Sequence, residues 1–420
     1  MGRRIINITV VGLGKLGLPL AALLARAGHK VLAYDRSSAL IGSLTNGRFH
    51  SSEPNLMGLL TESKDFIDYT DKIEGAFQST DAVFIIVPTP SETDGQFSND
   101  SIIEFISKLN PKTFANKKIV FNIVSTVMPG SSEGIIKSTL EMALNMKVGN
   151  NLGLCYNPEF IALGSVVKDM QEPDMHLLGQ SSNWAGDTIE EILNSIVLKP
   201  VPCRRMNLTE AELVKIAVNN FVTMKISFAN ILFQAAVKLG NVDIDTVTES
   251  LGLDSRIGTK YLRGSVPYGG PCFPRDTRAL TALFSRIGVD ADLSIATELV
   301  NDNHVKFIIN HLQKSFNGAK VIGIVGASYK NGTAVIEESA GISIARELLT
   351  KNFRVIIWDD EDVTLPVDIT NEVHLEDTFS SLVTKSDYIV ISRPFSDIND
   401  IYSTLNEQSK PFTDLWRQIK

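Results

Sequence analysis

Short apolar runs rich in Val and Ile recur through the first half of the chain, separated by stretches of helical periodicity. Ile6 to Val11, Lys30 to Tyr34, Ala82 to Val87 and Lys118 to Ile123 have the length and composition of buried strands. Strands that alternate with helices predict a parallel sheet covered on both faces. The region to about residue 200 therefore reads as one doubly wound domain. From Leu208 to Leu239 the pattern changes, because neither Gly nor Pro interrupts it, and Thr209 offers an N-cap with Glu212 three residues later. This predicts one helix of about 32 residues, roughly 48 Å long, a length that suits an interdomain spine or a dimer element. Helical periodicity continues to about residue 315, broken by the turn-rich piece Gly264 to Pro274. The strand–helix–strand pattern then restarts with Lys320 to Val325, Gly341 to Lys351, Arg354 to Trp358 and Asp387 to Ser392.

The first strand runs into Gly12-Leu-Gly-Lys-Leu-Gly17, a dinucleotide fingerprint in the context it requires, after a strand and opening a helix. Gly12 permits the tight turn, Gly14 lets backbone approach a pyrophosphate, and Gly17 lets the helix pack on the strand. Asp35 ends the next strand, placed to accept hydrogen bonds from an adenosine ribose diol, which favours NAD over its 2′-phosphorylated form. Thr89, leaving a strand in Val87-Pro-Thr-Pro90, is a candidate cofactor contact, and Arg36 is either an adenine-stacking residue or a solvated one. The fold class that follows is α/β, with two Rossmann-like doubly wound domains joined by a long central helix and a helical middle domain. The expected division is an NAD-binding domain over 1–205, a central helical and dimerisation domain over 206–315, and a nucleotide-fold domain over 316–420.

Length agrees with more than one core, since 420 residues exceed what a single domain usually holds. A net charge of −8 argues against a general nucleic-acid binder. Three scattered cysteines imply no disulfide framework. The six histidines form no metal-ligand spacing, and no GxSxG elbow supports a hydrolase. No apolar stretch of the roughly 18 residues needed to span a bilayer is found, and the apolar start at Ile5 is cut short by Gly12, so the expectation is a cytoplasmic protein with no membrane partner.

The most informative segment is Gly269-Gly-Pro-Cys-Phe-Pro-Arg-Asp276. Two glycines let backbone crowd a ligand and two prolines fix the loop. Most free cysteines are small buried hydrophobes, but Cys272 has glycine, proline and charge around it. Arg275 and Asp276 are placed to tune a thiolate. Lys215 and Asn219 lie four apart on the long helix and share a face. Glu159 follows an apolar strand beside Pro158 and is a candidate general base, and Thr126 ends another strand.

These residues fall into ordered motifs. Gly12 to Pro19, Ser125-Thr-Val-Met-Pro-Gly130, Asn157-Pro-Glu-Phe160, Ala211-Glu-Leu-Val-Lys-Ile-Ala-Val-Asn219, Arg256-Ile-Gly258 and Tyr268 to Asp276 together resemble the UDP-glucose/GDP-mannose dehydrogenase family along nearly the whole chain. The resemblance implies an NAD-dependent four-electron oxidation of a nucleotide sugar by a homodimer or higher homo-oligomer. It implies a nucleophile at Cys272, with Lys215, Asn219 and Asp276 as its catalytic partners. A general base falls on Glu159 and a water-positioning threonine on Thr126. Substrate contacts fall on Arg256 from a neighbouring subunit, on Tyr261 and Tyr268 near the diphosphate, on Phe160, and on Lys330. The segment around Arg256 and Cys272 looks most like the UDP-glucose branch, with GDP-mannose and UDP-N-acetylhexosamines as alternatives.

The chain also departs from the family pattern. Leu163 stands where the family has a second glutamate, and Thr333-Ala-Val-Ile-Glu337 where it has Thr-Asp-Asp-x-Arg. Arg275 and Pro271 replace a lysine and a serine. The first exchange would slow hydrolysis of a Cys272 thioester, which the resemblance implies, or alter water handling, and Glu337 reverses a charge where nucleotide phosphates are expected. Two other readings compete: a single-step hydroxyacid dehydrogenase, which would lack the cysteine loop, and a nucleotide-sugar-binding protein without turnover.

Overall fold

The computed structural model describes residues 4–73, 77–115, 117–161 and 163–419. It divides into two compact units, Met1–Ile216 and Ala217–Lys420.

The first unit is built on an eight-stranded sheet. Its strands are β1 (Asn7–Val11), β2 (Lys30–Tyr34), β3 (Ile67–Thr70), β4 (Ala82–Ile85), β5 (Ile119–Ile123), β6 (Leu152–Tyr156), β7 (His176–Gln180) and β8 (Cys203–Met206). Their order is β3-β2-β1-β4-β5-β6-β7-β8. The first six are parallel, and β7 pairs antiparallel with β6 before β8 runs parallel to β7. Alternate residues of each strand feed two cores: Ile8 and Val10 join Phe84 and Val120 on one face, and Val11 joins Val83, Ile85 and Phe121 on the other. Both faces are buried, so these strands are near-continuous apolar runs. Chain order reverses at β1 and β4, the switch point where such sheets bind ligands beyond their carboxyl ends.

The second unit carries a five-stranded, fully parallel sheet. With β9 (Val321–Val325), β10 (Arg354–Trp358), β11 (Val373–Leu375), β12 (Tyr388–Ile391) and β13 (Phe412–Asp414), the order is β11-β10-β9-β12-β13. Its first crossover repeats the first unit's geometry. Gly326 has a φ of +104°, and a Cβ on Gly341 would lie 1.9 Å from the Gly326 carbonyl oxygen. One feature differs. Asp359, at the end of β10, receives the Ala327 and Ser328 amides and is also held by the Arg393 guanidinium at 2.9 Å. That carboxylate is already occupied by an internal cation, whereas its counterpart Asp35 accepts from the Leu13 and Ser37 amides.

The long helix spans Leu208–Leu239, as the uninterrupted pattern predicts. Its start corrects the expected cap. The box is formed by Asn207 and Glu210: the Asn207 side-chain oxygen accepts from Glu210 N–H at 2.8 Å, and the Glu210 carboxylate accepts from Asn207 N–H at 2.9 Å. Glu212 is thereby released for another task. It is fully buried and accepts from the Gly130 and Ser132 amides at 2.6 and 2.7 Å, so the loop after β5 is fastened to the helix. Removing that carboxylate would strand two amide donors at a cost of about 1–3 kcal/mol each.

The helix also corrects the expectation about apolar runs. By length and composition it reaches what a bilayer span requires, with a mean hydropathy of 1.3 over an 18-residue window. Polar residues scattered among its Ile, Val and Phe hide this from inspection, and those polar residues bond within the protein. Ser227 Oγ donates to the Thr297 carbonyl at 3.0 Å, and Asn230 donates to the Val266 carbonyl and accepts from the Ser265 amide. The opposite side of the helix is apolar and open, with Phe221 60 % and Phe228 49 % exposed one heptad apart.

Candidate functional site

In the first unit a cavity of about 380 Å³ opens over the β1–α1 turn, with α1 running from Gly17 to Arg26. Gly12, Gly14, Gly17, Asp35 and Arg36 all line it, together with Tyr34, Val87, Pro88 and Glu104. Gly12 has a φ of +92°, and its Cβ would fall 2.2 Å from the Ile86 carbonyl oxygen. A Cβ on Gly17 would meet the Gly12 carbonyl oxygen at 1.8 Å. Gly14 has nothing near its missing side chain, so a diphosphate has clear access to the amides at the helix start. The two Asp35 oxygens accept from the Leu13 and Ser37 amides at 2.8 and 2.9 Å, and each retains lone pairs for a ribose hydroxyl. This donor set fits NAD. Gly17→Ala is expected to push α1 off the turn. Overpacking of this kind costs about 1–3 kcal/mol, so NAD affinity should fall about tenfold and the melting temperature should drop, as titration calorimetry and a thermal scan would report.

Thr89 is buried, and its hydroxyl donates to the Thr126 carbonyl at 2.7 Å. Ser125 Oγ donates to the Val87 carbonyl at 2.7 Å and accepts from the Val87 amide at 2.9 Å. The loops leaving β4 and β5 are thus stapled together, with Glu212 holding the second from below. Glu159 and Phe160 follow β6. The Lys215 ammonium donates to the Glu159 carbonyl at 2.7 Å and sits 4.6 Å from the centre of the Phe160 ring. Burial pushes the Glu159 carboxyl up to about 7, with Lys215 drawing it partly back. Leu163, in the place of the family's second glutamate, packs on the apolar core. Beside it, the Gly164 amide donates to Glu53 at 3.1 Å.

In the second unit the cysteine loop ends in a helix, Phe273–Ile287, with Cys272 at its N-cap and Pro274 in its first turn. Cys272 is exposed, whereas Cys155 is buried and its thiol is pushed far up by burial. A thiol at a helix N-terminus has its anion favoured by the helix dipole. Asp276 is buried in the same first turn. Asn219 Nδ2 donates to its carboxylate at 2.6 Å, and Arg275 Nε lies 3.4 Å from the other oxygen. Asn219 and Asp276 therefore meet, and Lys215, one helical turn before Asn219, is buried as well.

Tyr268 is buried, its backbone clamped on both sides by Asn301. Tyr261 is half-exposed with a φ of +62° and sits edge-on to Phe273. Arg256 is exposed, and its guanidinium is paired with the Asp254 carboxylate. Lys330 lies 6.0 Å from the centre of the Tyr329 ring. Several residues escape sequence reasoning. Asn220 donates to the Asp276 carbonyl at 3.0 Å, and the doublet Asn219-Asn220 was its only signal. Glu212 and Asn301 act through backbone groups distant in sequence, which no local pattern marks.

A glycine turn that receives a dinucleotide, over a sheet in the order 3-2-1-4-5-6, is the mark of an NAD-binding dehydrogenase. The UDP-glucose/GDP-mannose dehydrogenase profiles match here, the NAD binding domain over residues 6–197 and the central domain over residues 209–303. The chain belongs to that family. It is 32% identical over 363 residues to the UDP-glucose 6-dehydrogenase of Haloferax volcanii, covering 84% of this chain and 83% of that protein. It is 28% identical over 404 residues to the GDP-mannose 6-dehydrogenase of Pseudomonas syringae pv. syringae, covering 92% and 90%. The solved UDP-glucose dehydrogenase of Pyrobaculum islandicum superposes with a TM-score of 0.86 at 29% identity, covering 98% of this chain and 94% of that one. The protein is thus an oxidoreductase of the nucleotide-sugar dehydrogenase family with NAD as its cofactor.

Proposed function

We propose that the protein oxidises the sugar C6 alcohol of UDP-glucose to the carboxylate in two steps through Cys272. The observation that carries this reading is the exposed thiol at a helix N-terminus, one turn from the buried Asn219–Asp276 pair. NAD, when bound, accepts the hydride of each oxidation. Lys215 and Asp276 hold a water that takes the alcohol proton as the aldehyde forms. The Cys272 sulfur then adds to the aldehyde carbon, giving a thiohemiacetal, because an aldehyde does not release its hydride until a nucleophile has added and the resulting alkoxide can drive it out. Loss of the second hydride leaves a thioester. A water activated by Glu159 and oriented by Thr126 attacks it and releases the acid. The Lys215 ammonium stabilises alkoxide-like charge in both oxidations. Phe160, Tyr261, Tyr268 and Lys330 are assigned to the substrate.

UDP-glucose is preferred because UDP-glucose 6-dehydrogenases figure prominently among the chain's relatives. GDP-mannose is the second reading, supported by relatives of similar identity that act on it. The test is NADH formed per sugar consumed at limiting sugar, with UDP-glucose, GDP-mannose and UDP-N-acetylhexosamines in parallel. Two NADH from UDP-glucose is the expected result. A yield of one means the reaction halts at aldehyde or thioester, and none with any sugar leaves a binding protein.

The chain is further proposed to pair with a second copy through the open side of the long helix, where Phe221, Phe228 and Ile231 lie at i, i+7 and i+10. Arg256, solvent-exposed within its own subunit, is assigned to the partner's substrate. Light scattering at micromolar concentration should give twice the mass of one chain, and Phe228→Glu should reduce it to one. A single-chain mass for the unaltered protein would remove this assignment.

A further inference from the structure

The cysteine loop rests on a part of the second unit of which the reaction above uses only Lys330. Gly269 and Gly270 press against the segment from Tyr329 to Ser339. A Cβ on Gly269 would lie 1.9 Å from the Glu338 carbonyl oxygen, and one on Gly270 would lie 2.6 and 2.7 Å from the Tyr329 ring carbons Cδ2 and Cε2. The Gly270 amide donates to the Glu337 carbonyl at 3.0 Å, and the Tyr329 amide closes the segment onto the Val335 carbonyl at 2.9 Å. Neither glycine can be replaced without moving this contact, and Gly270 also holds a φ of +80°. Two residues further on stands the thiol.

We propose that Tyr329 is a positioning residue for Cys272: its ring is the seat of the Gly269–Gly270 turn, and its phenol donates a hydrogen bond to the cysteine thiolate. Burial, with the negative charge of Cys272 adding to it, pushes the phenol up to about 12. The ring lies against Gly270, two residues before the thiol, and a phenol keeps its proton over the range in which thiols ionise. A donor facing an anion forms the stronger, charge-assisted type of hydrogen bond and favours the thiolate. The charged residues nearest Cys272 in sequence are Arg275 and Asp276 on its own helix, and Lys330 follows Tyr329 on the facing segment. Arg278 is paired with Glu298 and with Glu338. Asp276 is itself bound to Asn219 and Arg275, and the Tyr329 phenol is an uncharged donor.

The inference rests on Cys272 being the nucleophile, but its test does not need turnover. Iodoacetamide labelling of Cys272 in the full-length chain would be followed by peptide mass analysis from about pH 6 to 10, a span that brackets thiol ionisation. Buried Cys155 serves as the internal reference. Tyr329→Phe keeps the ring and its packing and removes only the donor. Its labelling midpoint is expected about one pH unit higher, with labelling at neutral pH about tenfold slower, while KM for the sugar holds and kcat falls. An unchanged midpoint overturns the proposal, as does a slower rate without a shift, which would mark a purely structural role. Should no nucleotide sugar yield NADH while the midpoint still moves, the reaction reading fails and this one stands. NADH formation with a fixed midpoint is the reverse case.

Discussion

Cys272→Ser is expected to lower acid formation by about three orders of magnitude or more, while binding of NAD and of the nucleotide sugar stays near that of the unaltered protein. The sulfur is the protein atom that joins covalently to the substrate in the proposed sequence. A serine hydroxyl is a far weaker nucleophile at neutral pH, because only the ionised form attacks and the helix dipole cannot bring an alcohol into that range. The side chain sits on an exposed N-cap, so the fold should survive. The variant should stop after the first hydride and yield at most one NADH per sugar, read by absorbance at limiting sugar with calorimetry confirming binding. Full two-NADH turnover would eliminate the thioester route.

Glu159→Gln should trap the reaction one step later. Its carboxyl, raised to about 7 by desolvation, suits a base that works near neutral pH. The sign follows from its charge: the base acts only when ionised, so activity should rise with pH through about 7 and level off above it. Glutamine carries no such proton, so turnover should fall by about two to four orders of magnitude, and the rising limb should disappear. Because both hydride transfers precede hydrolysis, a burst of two NADH per active site should remain, with the acyl group on Cys272 visible in the mass of the intact chain. Loss of the burst would move Glu159 to an earlier step. The same group bears on stability. Its folded-state value lies above that of an exposed carboxyl, so the unfolded chain releases this proton more readily, and its contribution weakens as pH rises from the ordinary carboxylate range through 7.

The departures from the family pattern take on physical meaning in the structure. Leu163 is absorbed into the apolar core beside the Glu159 loop, and the Gly164 amide next to it is held by Glu53. The loop is therefore anchored by a carboxylate more than a hundred residues upstream. Glu337 is tied to the cysteine loop through its carbonyl, so its backbone has a structural duty whatever its side chain does.

What the sequence determined by itself is the set of elements and the nucleotide turn. Strand composition, the unbroken run from Leu208 to Leu239 and the three glycines each act over a few residues, where φ preferences, side-chain alternation and missing Cβ atoms leave one solution. Cys272 was legible for the same reason, since its glycine and proline neighbours exclude an ordinary core cysteine. The N-cap of the long helix was misplaced by two residues, because Thr209 and Glu212 satisfy the same spacing rule as Asn207 and Glu210. Only the tertiary contacts chose between them, by giving Glu212 to the Gly130 and Ser132 amides. The Asn219–Asp276 hydrogen bond, the Asn301 clamp on Tyr268, the elevated Glu159 carboxyl and the Tyr329 seat under Gly270 were likewise decided by the fold alone. Each depends on burial and on a partner far along the chain, and neither quantity exists until the sheets and helices have packed.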